Sequence, residues 1–166
     1  RRIPIAEMTI VPAPSAFSLA CARLGWSMRS VETLSLCGRD PALLNALLYP
    51  KAQLLVLSAD RQTPVKVAKL LTQQGFGASH ITVLERMGGT QERQIEGIAS
   101  SWNATDVADL NAIAITCIPS TPPRFRADPR LPGLPDAAYH HDGQLTKREV
   151  RAVTLSSLAP LPGQLL

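Results

Sequence analysis

Ser15 and Ala16 are the residues of this chain best suited to bind a ligand. They follow Pro12 and Pro14, and they open a run of small and apolar residues at 16–24. Proline fixes φ and cannot extend a strand ladder, whereas serine is a favoured helix N-cap. The first N–H groups of a helix have no partner inside it. The pair is therefore a candidate for binding a polar ligand, although a plain N-cap serine gives the same pattern.

Two other groups of reactive side chains have weaker claims. His140, His141 and Asp142 are adjacent, but neighbours on an irregular segment point in different directions, so we expect no metal site there. The chain also has three widely spaced cysteines without a CxxC pattern: Cys21, Cys37 and Cys117. This number and spacing predict neither disulfides nor structural zinc, and they favour a reducing, cytoplasmic location.

The composition limits the classes of partner. The chain has 166 residues, of which 45% are hydrophobic, and its formal net charge is +4. The basic residues are scattered and never form a run longer than two, so we expect no nucleic acid partner. No apolar run reaches membrane-spanning length, and we expect no membrane partner. The first residue is not Met and the last residues resemble an interrupted strand, which predicts that the chain is a fragment.

Helical and extended patterns alternate along the first two thirds of the chain. The segment 53–57 is continuously apolar, as in a strand that is buried on both faces. The full set comprises predicted strands at 9–11, 31–36, 53–57, 81–84 and 112–116, an extended arm at 91–98, and predicted helices at 16–24, 41–48 and 64–74. This alternation predicts an α/β fold with a mixed sheet flanked by helices.

The composition changes at Ile118. Five prolines occur in 119–133, which is typical of an extended linker. Beyond it, Thr146 and Glu149 have the spacing of a capping box, which predicts a helix that ends near Leu158. We therefore expect three parts: a domain at 1–117, a linker at 118–133, and the start of a second domain, as a short C-terminal extension, at 134–166.

Five ordered segments resemble the tetrapyrrole methylase family. The segment at 11–25 is similar to the start of the second half of such an enzyme, and the others follow in order and spacing: 54–60, 82–93, 110–115, and a tail at 141–151 with 162–166. Within this family the similarity is greatest to the bifunctional, decarboxylating methyltransferases that act on precorrin-6Y in cobalamin biosynthesis. The tail resembles the entry to their second, Rossmann-like methyltransferase module.

The resemblance implies a cofactor, a substrate and a set of site residues. The cofactor would be S-adenosyl-L-methionine, and the substrate would be a corrin-precursor tetrapyrrole that is methylated at two meso carbons with loss of a carboxyl group. No metal ligands and no catalytic side chain are implied. The cofactor-binding positions that the resemblance implies are Ser15, Ala16, Leu57, Ser58, Gly88, Gly89, Asn111 and Ala112, with Thr146 in the second module.

One departure from the family pattern limits this expectation. The family carries a Gly-Asp-Pro loop that grips the cofactor, and no such tripeptide occurs here, because Asp40-Pro41 follows Arg39. We therefore expect a fragment that is inactive alone and that self-associates through its uncovered flank as a homo-oligomer. Two alternatives stay open: a non-catalytic dimerisation or ligand-binding half-domain, and another tetrapyrrole methylase, against which the tail argues.

Three arginines are candidates to pair with the many carboxylates of such a substrate: Arg61, Arg86 and Arg93. Guanidinium binds a carboxylate through two parallel hydrogen bonds. For any one of these residues a solvated surface position is the simpler interpretation.

Overall fold

The computed structural model describes residues 4–120 and 131–159. The chain folds into two compact units, Arg1–Phe125 and Arg126–Leu166. In the described residues, no helix is both long enough and apolar enough to cross a membrane.

The first unit is built on a mixed five-stranded sheet, as the sequence predicts. Its strands lie in the order β1-β2-β5-β3-β4. β1 and β2 are parallel, whereas β5 is antiparallel to both β2 and β3, and β4 is antiparallel to β3. The elements are α1 Ala16–Leu24, β1 Val31–Ser35, β2 Gln53–Leu57, α2 Thr63–Gln73, β3 His80–Glu85, β4 Arg93–Ile98 and β5 Asn111–Thr116. The carboxyl ends of β1, β2 and β3 consequently meet the amino end of β5 at one edge of the sheet.

Alternation along the strands divides the buried side chains between two faces. In β2, Leu54 belongs to a large cluster that includes Leu71 of α2, and Leu55 belongs to a smaller cluster that includes Ala20 of α1. Successive strand side chains point to opposite faces. We call these the α2 face and the α1 face.

Local capping explains where α1 begins and ends. The Ser15 hydroxyl accepts a hydrogen bond from the Ser18 N–H at 3.1 Å, and Gly25 closes the helix at φ +67°. The Ser15 N-cap is a confirmed prediction, and Gly25 adopts the left-handed conformation that is common at helix C-termini. Asp40 likewise caps the next helical segment through the Ala42 N–H at 2.7 Å, but Pro41–Leu47 forms a 3-10 helix.

Two local predictions are wrong. The segment 9–11 is not a strand, because no described strand pairs with it, and Ile10 and Val11 are about 80% exposed. Pro12 and Pro14 just beyond it have no N–H to donate to a ladder. The capping box also fails: the helix that we call α3, Arg148–Leu158, has Lys147 as its N-cap and no side-chain cap bond.

The second unit is held together around one arginine. Arg151 of α3 forms an ion pair with Asp136 at 2.8 Å and lies 4.8 Å over the Tyr139 ring. Its guanidinium also donates to the carbonyls of Leu134 and Thr146. These bonds connect α3 to the chain that enters it.

Part of the predicted linker, at 121–130, and the predicted turn and strand start at 160–166 lie outside the described residues. Ile118 and Ser120, at the start of the predicted linker, belong to the first unit and bond to other residues of it. The Ile118 N–H donates to the Ser79 hydroxyl at 3.0 Å, and the Ser120 N–H donates to the Gly75 carbonyl at 2.9 Å.

Candidate functional site

A mainly apolar cavity of about 380 Å³ lies at the edge where the three parallel strands end. It is lined by Ala16, Leu19, Cys37, Leu57, Ser58, Leu84, Arg86, Met87, Leu110, Asn111 and Ala112. Ligands of open α/β sheets bind at this edge because loops that leave neighbouring strands diverge there. α1 supplies the roof of the cavity through Ala16 and Leu19.

The floor of the cavity is fixed by a short polar network between β2 and β5. The Ser58 hydroxyl donates to the Asn111 side-chain carbonyl at 2.5 Å, and the Asn111 amide donates to the Ala108 carbonyl at 2.8 Å. Both side chains are 8% exposed. The Cys37 thiol donates to the Ser58 carbonyl at 3.3 Å, so the end of β1 joins the same network. Buried polar atoms that are satisfied in this way hold one geometry.

The loop after β3 closes one side of the cavity and is tied to α1. Gly88 has φ +82°, and its N–H donates to the Glu92 carboxylate at 2.8 Å. The same carboxylate accepts two bonds from Arg23 at the end of α1, at 2.5 and 2.9 Å. The Arg23 side chain and the Gly88 amide lower the pKa of Glu92 to about 2.

A buried carboxylate, that of Glu85, lies at the carboxyl end of β3 on the same edge of the sheet. Glu85, at 1% exposure, accepts from Arg93 at 2.7 Å and from the Ala108 N–H at 2.6 Å. Burial by itself raises the pKa of the Glu85 carboxyl, but the bonds from Arg93 and Ala108 outweigh it, and the pKa lies below its ordinary value. Glu85 is therefore a charged structural residue that supports the loop at 106–109.

Five of the nine residues that the resemblance implies line this one cavity: Ala16, Leu57, Ser58, Asn111 and Ala112. Ser15 caps the helix beside the cavity without lining it. Gly88 borders the cavity indirectly, since a Cβ added there would lie 3.7 Å from Leu19, and a Cβ added at Gly89 would lie 3.2 Å from the Arg86 carbonyl. That these residues bind a cofactor stays a prediction.

Sequence reasoning did not assign several cavity residues to the site, chiefly Leu19, Cys37, Leu84, Met87 and Leu110. Of these residues, Cys37 is an exposed free cysteine. Leu84 and Met87 lie far from Cys37 along the chain, with β2 and α2 between them. The strand order of the sheet brings the three residues together. For Cys37, Leu84 and Met87, a position near or just after the end of a strand was the available signal.

Thr146 lies in the second unit, beside a smaller cavity of about 220 Å³. Tyr139, Arg151, Thr154 and Leu155 complete its lining. Arg151 is 10% exposed, and its Nε has no hydrogen-bond partner among the described residues. The adjacent histidines form no metal cluster with other described residues. Instead, His141 and Asp142 accept from the backbone N–H groups of Gly143 and Gln144 in a turn.

The fold of this chain is shared with solved structures. The methyltransferase CobJ has a TM-score of 0.52 with this chain at 11% identity, over 67% of this chain and 51% of that one. At this identity the likeness shows the α/β methyltransferase fold alone. The precorrin-6Y methylase CbiE of Archaeoglobus fulgidus is 25% identical over 62% of this chain and 45% of its own, with a TM-score of 0.46.

Sequence comparison identifies the particular relatives. The decarboxylating precorrin-6Y C(5,15)-methyltransferase of a Sinorhizobium species is 45% identical over all 166 residues, which are 40% of its length. The enzyme of the same name from Mycobacterium tuberculosis H37Rv is 41% identical over 96% of this chain and 39% of its own. A family model described as a precorrin methyltransferase domain matches residues 137–166. The resemblance to decarboxylating precorrin-6Y methyltransferases is confirmed, and the chain spans about two fifths of their length.

Proposed function

We propose that this chain forms part of an S-adenosyl-L-methionine-dependent methyltransferase of cobalamin biosynthesis that acts on precorrin-6Y. In this proposal residues 1–117 are the second half of a first methyltransferase module. Residues 118–133 connect it to residues 134–166, the start of a second module that carries the decarboxylating half of the reaction. The observation that carries the proposal is the convergence of five expected residues on one apolar cavity at the carboxyl edge of the sheet.

The cavity suits a cofactor that has a flat aromatic part. Leu19, Leu57 and Leu84 offer apolar walls, and Ala16 and Ala112 leave room between them. Ser58 and Asn111 satisfy each other, so that the cavity floor is rigid before a ligand binds. S-adenosyl-L-methionine, when bound, supplies an electrophilic methyl group. The contribution of this chain is to position the cofactor and to exclude water from it.

A chimera tests this proposal. The matching 40% of the Sinorhizobium relative is replaced by this chain, and binding of S-adenosylhomocysteine is measured by calorimetry together with methylation of precorrin-6Y. We expect both to be retained in the chimera, and the isolated chain to bind the cofactor weakly or not at all. Micromolar binding by the isolated chain contradicts the claim that the other half of the first module is needed.

Ala16→Trp tests whether the cofactor binds in the cavity itself. A tryptophan at this half-buried position fills the cavity, so we expect binding of S-adenosylhomocysteine by the chimera to weaken about tenfold or more. Ala22→Trp on the exposed side of the same helix is the matched control and should bind like the parent. Equal binding by both variants would remove α1 from the site and favour a non-catalytic half-domain.

The second unit carries a parallel proposal. Thr146 lines its small cavity, and we infer that its side chain faces the cofactor of the second module. Thr146→Val keeps the shape of the side chain and removes the hydroxyl. In the chimera we expect it to lower the decarboxylating activity while the first methylation is unchanged, and Thr146→Ser, which keeps the hydroxyl, is its control.

The proposal also includes the cellular compartment and the oligomeric state. Three free cysteines are compatible with a reducing cytoplasm. Ile5, Ile10 and Val11 are each about 80% exposed, which favours self-association through this segment. Light scattering of the chain should give a homo-oligomer that Val11→Lys dissociates, and a monomer at high concentration would contradict it.

A further inference from the structure

Arg86 lies at the boundary between two cavities. It lines the apolar cavity described above and also a second, polar cavity of about 380 Å³, which it shares with Arg61 and Arg93. A group that binds at this boundary can place an apolar body on one side and a charged substituent on the other. Arg86 is the residue that belongs to both.

The three arginines differ in their partners. Arg61 forms an ion pair with Asp109 at 2.7 Å, and Arg93 forms ion pairs with Glu85 at 2.7 Å and Asp106 at 3.1 Å. In the described part of the chain, the side-chain partner of Arg86 is the neutral amide of Gln91, whose carbonyl accepts from Nη1 at 2.9 Å. An exposed guanidinium that is held by an amide can exchange that partner for a carboxylate at little cost.

In the described residues no ion pair joins Arg86 to a carboxylate, although the Arg86 charge acts on Glu85 through space and contributes to the lowering of its pKa. Both oxygens of Glu85 accept hydrogen bonds, one from Arg93 and one from the Ala108 N–H. The two oxygens of Asp109 accept from Arg61. Arg86 is thus the arginine of the polar cavity that is available to a ligand.

The backbone of Arg86 is also unusual. Its φ is +49°, in the left-handed region that non-glycine residues seldom adopt. Two bonds fix it there: its N–H donates to the Leu110 carbonyl at 3.1 Å, and its carbonyl accepts from the Gly89 N–H at 3.0 Å. Glycine would adopt this turn at lower cost, and residues held in such conformations concentrate at functional sites.

We propose that Arg86 is a carboxylate-binding residue, which exchanges the Gln91 amide for a carboxylate of a ligand whose apolar part occupies the neighbouring cavity. This inference rests on the proposed function, because both a tetrapyrrole with acidic side chains and S-adenosyl-L-methionine carry carboxylates. Arg61 and Arg93 keep the wall of the polar cavity in shape and do not exchange partners.

Binding of a polycarboxylic porphyrin tests the charge. Uroporphyrin I is titrated into the full chain and followed by its fluorescence. We expect Arg86→Gln to weaken binding about tenfold or more, as for the loss of a charged hydrogen-bond pair. Arg29→Gln removes the same charge at the opposite, amino end of β1, and it should bind like the parent chain.

Gln91→Glu is the sharper variant because it leaves Arg86 in place. The new carboxylate would occupy the Arg86 guanidinium and compete with the ligand, so we expect a loss similar to that of Arg86→Gln. Equal urea midpoints show that the variants fold. The macrocycle is ruled out as the source of the carboxylate if the wild-type chain shows no saturable binding of uroporphyrin up to about 1 mM, or if either variant binds it within twofold of the parent.

A second pair of ligands, tested in the chimera described above, distinguishes a carboxylate of the cofactor from a carboxylate of the macrocycle. S-adenosylhomocysteine carries a carboxylate, whereas 5′-methylthioadenosine keeps the adenosine and lacks it. If Arg86→Gln weakens only the former, the cofactor supplies the carboxylate; if it weakens uroporphyrin and neither nucleoside, the macrocycle does. If cofactor binding and methylation persist and no carboxylate ligand is affected, this inference fails and the proposed function stands.

Discussion

The two faces of the sheet are built from different kinds of residue. The α2 face buries large side chains, such as Leu54, Leu71 and Phe76, under α2 and the 3-10 helix Pro41–Leu47. The α1 face buries a smaller set that includes Ala20 and Ala114, and the apolar cavity opens beside it. Large interlocking side chains give stability, whereas small ones leave room for a ligand. We therefore expect the α2 face to provide most of the stability, and the proposed cofactor site lies beside the α1 face.

The helices on the two faces are also attached to the sheet by different forces. α2 is attached through buried apolar residues, among them Val67, Ala68 and Leu71. α1 buries only Ala20 and Cys21 fully, and it gains the ion pair from Arg23 to Glu92. We therefore expect α1 to be the more sensitive element to pH and to ligand binding.

Neighbouring leucines of β2 give the largest test of this contrast. Leu54 and Leu55 are both 0% exposed but point to opposite faces. Leu54→Ala leaves a cavity in a closely packed core and should lower the free energy of unfolding by about 3–5 kcal/mol. Leu55→Ala faces a smaller cluster beside an open cavity and should cost about 2–3 kcal/mol. Urea denaturation measures both values.

The two substitutions delete the same atoms from the same strand, so each is the control of the other. A larger loss for Leu55→Ala than for Leu54→Ala would mean that the α1 face carries the stability. That result would contradict the division of the sheet into a stabilising and a binding face.

Ser58→Ala tests the polar floor at the cavity edge. The variant leaves the buried Asn111 carbonyl without the Ser58 hydroxyl, so we expect a loss of about 1–2 kcal/mol in the free energy of unfolding. Ser35→Ala is the control, because the Ser35 hydroxyl makes only a 3.4 Å bond to the Cys37 N–H at an exposed turn. Equal losses for the two variants would show that the floor is not preorganised by this bond.

The smallest expected effect is a pH dependence of α1. Because the pKa of Glu92 falls from 4.5 to about 2 in the folded protein, the contribution of the Arg23 pair is present above about pH 4.5. It is lost as the pH falls towards 2. Hydrogen exchange of the α1 amides should therefore accelerate over this range relative to α2. In Glu92→Gln the α1 amides should exchange faster already at neutral pH. Lowering the pH should then cause no further acceleration that comes from position 92.

Local sequence signals predicted the elements that are determined by nearby residues. Ser15 and Gly25 bound α1 because their caps act within one helical turn. The apolar run 53–57 forms β2 and the extended arm at 91–98 contains β4. The strand expected at 9–11 failed because a strand exists only with a neighbour, and β propensity alone does not supply one.

The failed capping box has a similar cause. Thr146 has the right spacing to Glu149, but Arg151 binds the Thr146 carbonyl and the helix starts at Arg148. At Thr146 the carbonyl therefore accepts a bond from Arg151, and no side-chain bond caps α3. The sequence shows Thr146 and Arg151, but it does not show that the Arg151 guanidinium lies within hydrogen-bond distance of the Thr146 carbonyl.

The sequence by itself determined the helices and the central strands, because short-range capping and apolar patterning act along the chain, and the family resemblance implied five residues that share the cavity. Only the tertiary structure decided that β5 inserts between β2 and β3, which brings Cys37, Leu84 and Arg86 to the same edge. Strand order depends on which faces can be buried together, and this balance is summed over the whole sheet. The bond from the Arg86 N–H to the Leu110 carbonyl follows from that order, because Leu110 directly precedes β5.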